Sequence, residues 1–406
     1  MRVLLVAYAC EPDRGSEPAV GWNVAQRYKQ VCDLHVLTRQ NNLTAVRRDP
    51  DIVWHGFDCS GRRAKKRLPF GSQVYHYWWH LRARRVVARI IDEDGPFDLV
   101  QHLTLGSFRY PSAASGHDVP FVLGPVGGGE RVPPRLWVTL GLRGAATEGL
   151  RLAANWVSLF DPLLRKSHRK ARLVLATTPQ TASVLQRVIG GTPVTLHPSI
   201  GMRLEPTATE LDTPRAPAAA GPLRAISVGR QEPWKGFALQ LRSIAIARAA
   251  GLDVRLTLLG KGPDRARLMR LAEKLEIGPY VNWIDSVASL EDVAGLLREH
   301  HVFLFTSLRE AGGMALVEAM SVGLPAVALD WGGPGVTLAG MDAALVPPDR
   351  SAPAVIAARL AALSDEHLWQ QQRRASLARA AAYRWEAIGD NLLQTVTGAG
   401  TLAEEV

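Results

Sequence analysis

Glu310 and Glu318 stand eight positions apart in the stretch Leu308–Pro325, LREAGGMALVEAMSVGLP. Two helical turns would bring the second carboxylate near the same face as the first. Gly312 and Gly313 lie between them and let backbone approach a ligand closely. Met314, Leu316, Val317 and Met320 then give the following helix an apolar side. HHVFLFTS, just upstream, reads as a buried strand. Strand, glycine turn and helix is the arrangement by which open α/β sheets hold phosphate on the first amides of a helix. A carboxylate at such a turn repels phosphate, so Glu310 suits sugar hydroxyls and Glu318 suits those of a ribose. The same pair also reads as two solvated glutamates on a surface helix.

Three more sets of chemically able residues recur in the second half, each after an apolar run. Gly229 and Arg230 precede Trp234, Lys235 and Gly236; Gly260-Lys261-Gly262-Pro263 and Trp331-Gly332-Gly333 follow. Two cations beside a glycine turn are what a diphosphate requires, because they neutralise the charge that builds as a leaving group departs. The first half holds weaker candidates. Gly15 and Ser16 present amides for a phosphate or sugar, and Glu17 is placed to orient a hydroxyl. His102 closes the run FDLVQHLT, a ligand position in open sheets and equally a place for a structural hydrogen-bonding histidine. Gly128, Gly129 and Glu130 end PFVLGPVGGGE, where so many glycines imply a tight backbone path or close approach of a ligand.

The elements that must position these residues alternate. MRVLLVAY, LHVLTR, IVWHGF, FDLVQHLT, PFVLG and LVLATTP read as strands separated by helices. After PTATELDTPRAPAAAGP, the pattern restarts with LRAISVGR, VRLTLLG, VNWIDSV, HHVFLFTS and LPAVALD. This predicts two doubly wound α/β domains: 1–205, a linker at 206–222, and 223–383. The helix near 384–397 is expected to return to the first domain.

Composition bounds the class. The 406 residues are 47% hydrophobic, and no apolar run spans a membrane. The first residues resemble a signal sequence, but Glu11, Asp13 and Arg14 follow at once and a buried strand fits better. Cys10, Cys32 and Cys59 form no CxxC pair and suit a reducing cytosol. The net charge of +10 is unevenly spread. Gly61 to Ile91 carries nine cations and no acid, Arg62, Arg63, Lys65, Lys66 and Arg67 among them, mixed with Tyr75, Tyr77, Trp78 and Trp79. Arg143 to Arg172 is a second basic stretch, with Trp156, Leu159 and Phe160. Cations with interfacial aromatics favour an anionic bilayer surface. They would also serve nucleic acid.

VGR followed by WKG, then LLGKGP, then E-x7-E within EAGGMALVEAMSVGLPAV resembles family 4 of the retaining glycosyltransferases. GSEPAVGW and GPVGGGE resemble a bacterial subgroup that makes surface glycans. The resemblance implies the GT-B fold, with two Rossmann-like domains facing across a cleft, and hexosyl transfer from a nucleotide diphosphate sugar. It implies that Arg230 and Lys235 hold the donor diphosphate with Gly229, Gly260 and Gly262 near it. Glu318 would bind ribose; Glu310, with amides of Gly312, Gly313, Met314, Ala315 and Leu316, would position the donor sugar. His102 matches a histidine beside that sugar, and Gly15 and Ser16 a loop over the diphosphate. Glu17, Gly128, Gly129 and Glu130 are left for the acceptor side, with a glycan or lipid-linked acceptor expected at the inner face of the membrane. Glu310-Ala311-Gly312-Gly313 replaces the family's EGFG or EPFG, and Ala19 stands where the subgroup often has Gly, so nucleotide preference does not carry over. No catalytic metal or other cofactor is expected: Asp49-Pro50-Asp51 and Asp92-Glu93-Asp94 have the Asp-x-Asp form but lie far from these motifs in sequence. A pyridoxal phosphorylase of the same fold, a soluble small-molecule acceptor and a nucleic-acid-binding module are the competing readings.

Overall fold

The computed structural model describes residues 1–59, 71–204, 216–217 and 221–398. The five cations from Arg62 to Arg67 and most of the expected linker lie outside the described residues. The chain forms two compact units, one of Met1–Glu130, Leu152–Ile200 and the chain from Trp385, the other of Arg131–Arg151 and Gly201–Arg384.

The first unit is a seven-stranded parallel sheet. Its strands are β1 (Arg2–Ala7), β2 (Asp33–Thr38), β3 (Val53–Gly56), β4 (Leu99–Thr104), β5 (Phe121–Val126), β6 (Leu173–Ala176) and β7 (Val194–Leu196). They lie in the order 3-2-1-4-5-6-7. Val3–Ala7 and all of β4 and β5 are buried, as continuous apolar runs covered on both faces must be. The order reverses between β1 and β4, and that is where an open sheet offers a crevice at its strand C-termini. Helix α1 (Glu17–Tyr28) opens at Glu17 because Pro18 suits a helix start and Glu17 suits its positive end. Three further helices of this unit are α2 (Leu43–Val46), α3 (Gly71–Asp94) and α4 (Gly141–Ser158), of which residues up to Arg151 belong to the second unit. Two more are α5 (Pro162–Arg169) and α6 (Pro179–Ile189).

In the second unit the strands are β8 (Leu223–Val228), β9 (Val254–Leu259), β10 (Val281–Ile284), β11 (Val302–Phe305), β12 (Ala326–Leu329) and β13 (Leu345–Val346), in the order 10-9-8-11-12-13, all parallel. Here the reversal falls between β8 and β11. Helices α7 (Phe237–Ala249), α8 (Arg265–Lys274) and α9 (Leu290–Arg298) come before α10 (Met314–Ser321) and α11 (Gly332–Thr337). Helices α12 (Ala352–Ala362) and α13 (Glu366–Ala381) complete this unit. Helix α14 (Trp385–Gly398) belongs to the first unit: Leu392 and Val396 join the core of Val20, Val24 and Tyr28, and Arg27 pairs with Asp390.

Two segments depart from the domain limits read from sequence: residues 201–204, placed in the first domain, belong to the second unit, and so does a longer stretch. Residues 131–151, expected within the first domain, build part of the second unit. Val132, Leu136 and Leu140 are each at most 2% exposed and share a core with Phe237, Leu241 and Leu268. Apolar spacing says only that such residues are buried, not which sheet buries them.

Candidate functional site

The second unit gathers its candidates where β8 and β11 end. Chain leaving β8 passes Gly229 and Arg230 and makes one 3-10 turn, Pro233–Lys235, before α7. Gly236 joins turn to helix with φ 71°, and a β-carbon there would come within 1.9 Å of the Thr306 carbonyl oxygen. Only glycine permits this approach. The Leu308 amide donates to the Trp234 carbonyl at 2.8 Å, so the chain after β11 is laced to the chain after β8. That lacing brings Lys235 Nζ into an ion pair with Glu310 Oε2, while Ser307 Oγ donates to the same carboxylate oxygen at 3.3 Å. Lys235 also lies over the Phe305 ring, 5.8 Å from its centroid. Both partners of the pair are partly exposed, at 26% and 19% of their side chains.

Glu310 and Glu318 do not share a helix. Gly313 has φ 112° and caps α10, so helical geometry begins only at Met314. Glu310 lies in the preceding turn, where its carbonyl accepts from the Gly333 amide at 2.8 Å. The eight-residue spacing therefore does not act as two helical turns. The first amides of α10 have no acceptor within the helix, save Leu316, which donates to the Gly313 carbonyl at 2.8 Å. Glu318 is buried on the second turn and bound by Arg203, whose Nε lies 2.7 Å from Oε1. Burial raises its pKa, and the Arg203 guanidinium opposes that rise. Arg230 is exposed over 76% of its side chain and pairs with Glu232 at 2.9 Å rather than meeting Lys235. Gly260 and Gly262 hold their turn against Gln231, whose Nε2 donates to the Gly260 carbonyl at 2.8 Å and whose own carbonyl accepts from Asp264.

Sequence reading missed the residues that brace this loop pair. Glu148, on α4, is 2% exposed and chelated by Arg151 at 2.7 Å and by Arg309, with the Val132 amide donating at 3.3 Å. Arg309 in turn lies 4.5 Å over the Trp234 ring. Positive neighbours hold the Glu148 carboxyl below its usual range despite the opposing effect of burial. The one available signal was an acid inside an otherwise basic stretch.

In the first unit, the chain from β1 to α1 runs beside the β1–β4 reversal. Ser16 has φ 60° and ψ −143°, a conformation costing a non-glycine residue about 1–3 kcal/mol and found mostly where loops do work. Glu17 accepts from the Gly106 amide at 3.1 Å. His102 lies inside β4, which runs on to Thr104, and not at its end. Its ring is buried, 2.9 Å from Ser112 Oγ and stacked on His80 at 4.7 Å. Burial lowers its pKa to about 4. Glu130 likewise faces inward, accepting from Thr178 Oγ1 at 2.8 Å, Thr181 Oγ1 at 2.7 Å and the Gly128 amide at 2.8 Å, while Gly129 donates to Thr181. The glycine turn is thereby pinned to the start of α6. Among the described residues, His35, His55 and Asp94 are grouped closely enough to hold a metal ion. His35 Nδ1 and His55 Nε2 are already at hydrogen-bond distance, 3.1 Å, on the neighbouring strands β2 and β3 and not at the reversal.

Residues 210–383 match the family described as glycosyl transferases group 1. A putative colanic acid biosynthesis glycosyltransferase, WcaL of Escherichia coli K12, is 30% identical over 212 residues, half of each chain. A GDP-mannose-dependent phosphatidylinositol dimannoside mannosyltransferase of Mycobacterium tuberculosis is 34% identical over 102 residues, 25% of this chain and 26% of that one. The chain thus spans half or less of the length of these curated relatives. The lipopolysaccharide outer core galactosyltransferase WaaB superposes over 98% of this chain and 99% of its own, with TM-score 0.67 at 15% identity. That likeness establishes the GT-B fold.

Proposed function

We propose, from the match of residues 210–383 to the glycosyl transferases of group 1, that this chain transfers a hexosyl unit, with retention, from a nucleotide diphosphate sugar to a hydroxyl of a glycan or lipid-linked acceptor. The observation that carries the proposal is the Lys235–Glu310 pair, set at the strand reversal and before the N-terminus of α10. A donor diphosphate would draw Lys235 away from Glu310 and take the first amides of α10 as additional donors. Freed from Lys235, Glu310 becomes an acceptor for sugar hydroxyls, and Glu318 accepts from ribose while Arg203 opposes the rise that burial causes in its pKa. Arg230, exposed and on a long stem, swings from Glu232 to the phosphates. Same-face departure and attack follow, the leaving phosphate helping to take the acceptor proton; the residues need no metal for this. The experiment is a screen of nucleotide diphosphate sugars against the purified chain by calorimetry, then NMR of the first product. A retained anomeric linkage supports the reading; an inverted one, or oligonucleotide binding without response to any donor, overturns it.

The acceptor side of the proposal rests on the surface of the first unit. Trp156, Val157, Phe160 and Leu163 are 42–64% exposed, and Lys166, Arg169 and Lys170 are exposed beside them in sequence. Trp78 and Val74 of α3 are exposed as well, while neighbouring Tyr77 donates to Asp161 at 2.6 Å. No helix among the described residues is long and apolar enough to cross a membrane. An acceptor presented at the cytoplasmic face of an anionic bilayer would explain aromatics and cations left on one surface. The mannosyltransferase relative is named for phosphatidylinositol dimannoside, which is consistent with this class of acceptor.

A further inference from the structure

We infer that Glu148 is a positioning residue for the Lys235–Glu310 pair, acting through Arg309; this rests on the donor site proposed above. Glu148 arrives on residues 131–151, which the chain contributes to the second unit from the middle of its first half. The segment is seated by Val132, Leu136 and Leu140 in the core, by Gly144 against Pro233, and by the Trp331 indole donating to the Arg131 carbonyl at 2.6 Å. A carboxylate with 2% exposure is costly unless its charge is matched. Arg151 supplies one guanidinium and Arg309 the other.

Arg309 is the residue before Glu310, and its guanidinium covers Trp234, the residue before Lys235. One arginine therefore touches both loops that carry the ion pair, and Glu148 fixes that arginine from the opposite side. Arg151 already offers Glu148 a nearby partner on the same helix, three residues on. The second guanidinium is thus more than the burial of one carboxylate requires, and its effect falls on the turn between β11 and α10. Displacing catalytic groups by about 1 Å costs on the order of 10²-fold in rate. Releasing Arg309 should therefore lower turnover while leaving nucleotide affinity nearly intact.

The test uses the full chain with Glu148→Gln and Arg309→Met, and a readout that needs no donor. Amine acylation followed by peptide mass spectrometry measures the reactivity of Lys235, with Lys261 and Lys274 as internal references. Both variants are expected to raise Lys235 labelling several-fold, the references holding steady. With the donor found by screening, kcat should fall about 10- to 10²-fold at a KM within about twofold, and Glu148→Asp should recover part of the loss. Unchanged Lys235 labelling in both variants, with only a lower melting temperature, makes Glu148 merely structural and overturns the inference. A chain that binds no nucleotide diphosphate sugar would defeat the proposed function and leave the labelling result standing.

Discussion

Acidification offers a sharp test of the first unit, because three buried histidines there are held neutral. His80, His102 and His168 are each at most 1% exposed. Burial lowers the pKa of all three, to about 4 for His102 and about 3 for His168, with neighbouring imidazole charge adding to the effect on His80 and His168. The unfolded chain has these groups near 6.5, so below that pH it binds more protons than the folded chain. Stability is therefore full above about pH 7 and falls as pH drops toward the folded values. At about pH 5 each histidine sits 1.5 units below 6.5, which is about 2 kcal/mol, or about 4 kcal/mol for His102 and His168 together. Folded proteins have only about 5–15 kcal/mol in total. His301, lowered to about 4 by burial in the second unit, acts in the same direction, whereas the raised pKa of Glu318 opposes it. Guanidinium titrations at about pH 7, 6 and 5, read by circular dichroism, should show the midpoint falling steeply. A flat midpoint, or His102 and His168 imidazole resonances titrating near 6.5 in the folded protein, would refute the reasoning.

Other outcomes follow from the site and surface. Lys235→Ala should cost on the order of 10²–10³ in kcat, since the leaving diphosphate loses a cation at the moment its charge develops; near-normal turnover in steady-state assays would remove Lys235 from the phosphate site. Glu318→Ala should act mainly through donor KM, and also leave Arg203 without its carboxylate, which a thermal melt would register. Co-sedimentation with anionic vesicles should weaken in Trp156→Ser with Phe160→Ser and at high salt, because exposed charges are screened beyond about 8 Å at physiological ionic strength. Chelation of divalent ions should leave sugar transfer unchanged, and a loss restored by added metal would contradict the metal-free reading.

Much of this fold could be read from the chain because parallel strands buried on both faces are written as unbroken apolar runs. VRLTLL and VFLF sit where such runs predict. Helix α9 follows VNWIDSV, and its start is written in the chain as a capping box of Ser289 and Asp292. The helical reading of Glu310–Glu318 failed on one residue, Gly313, whose positive φ delays the helix. His102 and Glu130 were legible as polar residues near strand ends, but their inward direction depends on His80 and Thr181, which arrive from other elements. Arg203 and Glu148 meet Glu318 and Arg309 across more than a hundred residues of chain, and no local pattern encodes such pairings.

The return of α14 to the first unit also matters while the protein is being made. Its seat against Val20, Val24 and Tyr28 is ready once the early strands have emerged, yet Leu392 and Val396 are synthesised only after residues 201–384. At about 5–20 residues per second, that apolar seat waits roughly 10–40 s on the ribosome. The first unit is thus started early and closed late. A chain ending at Arg384 would keep every residue of the proposed donor site and leave a greasy groove on the opposite half of its sequence, so its defect should show as aggregation during expression.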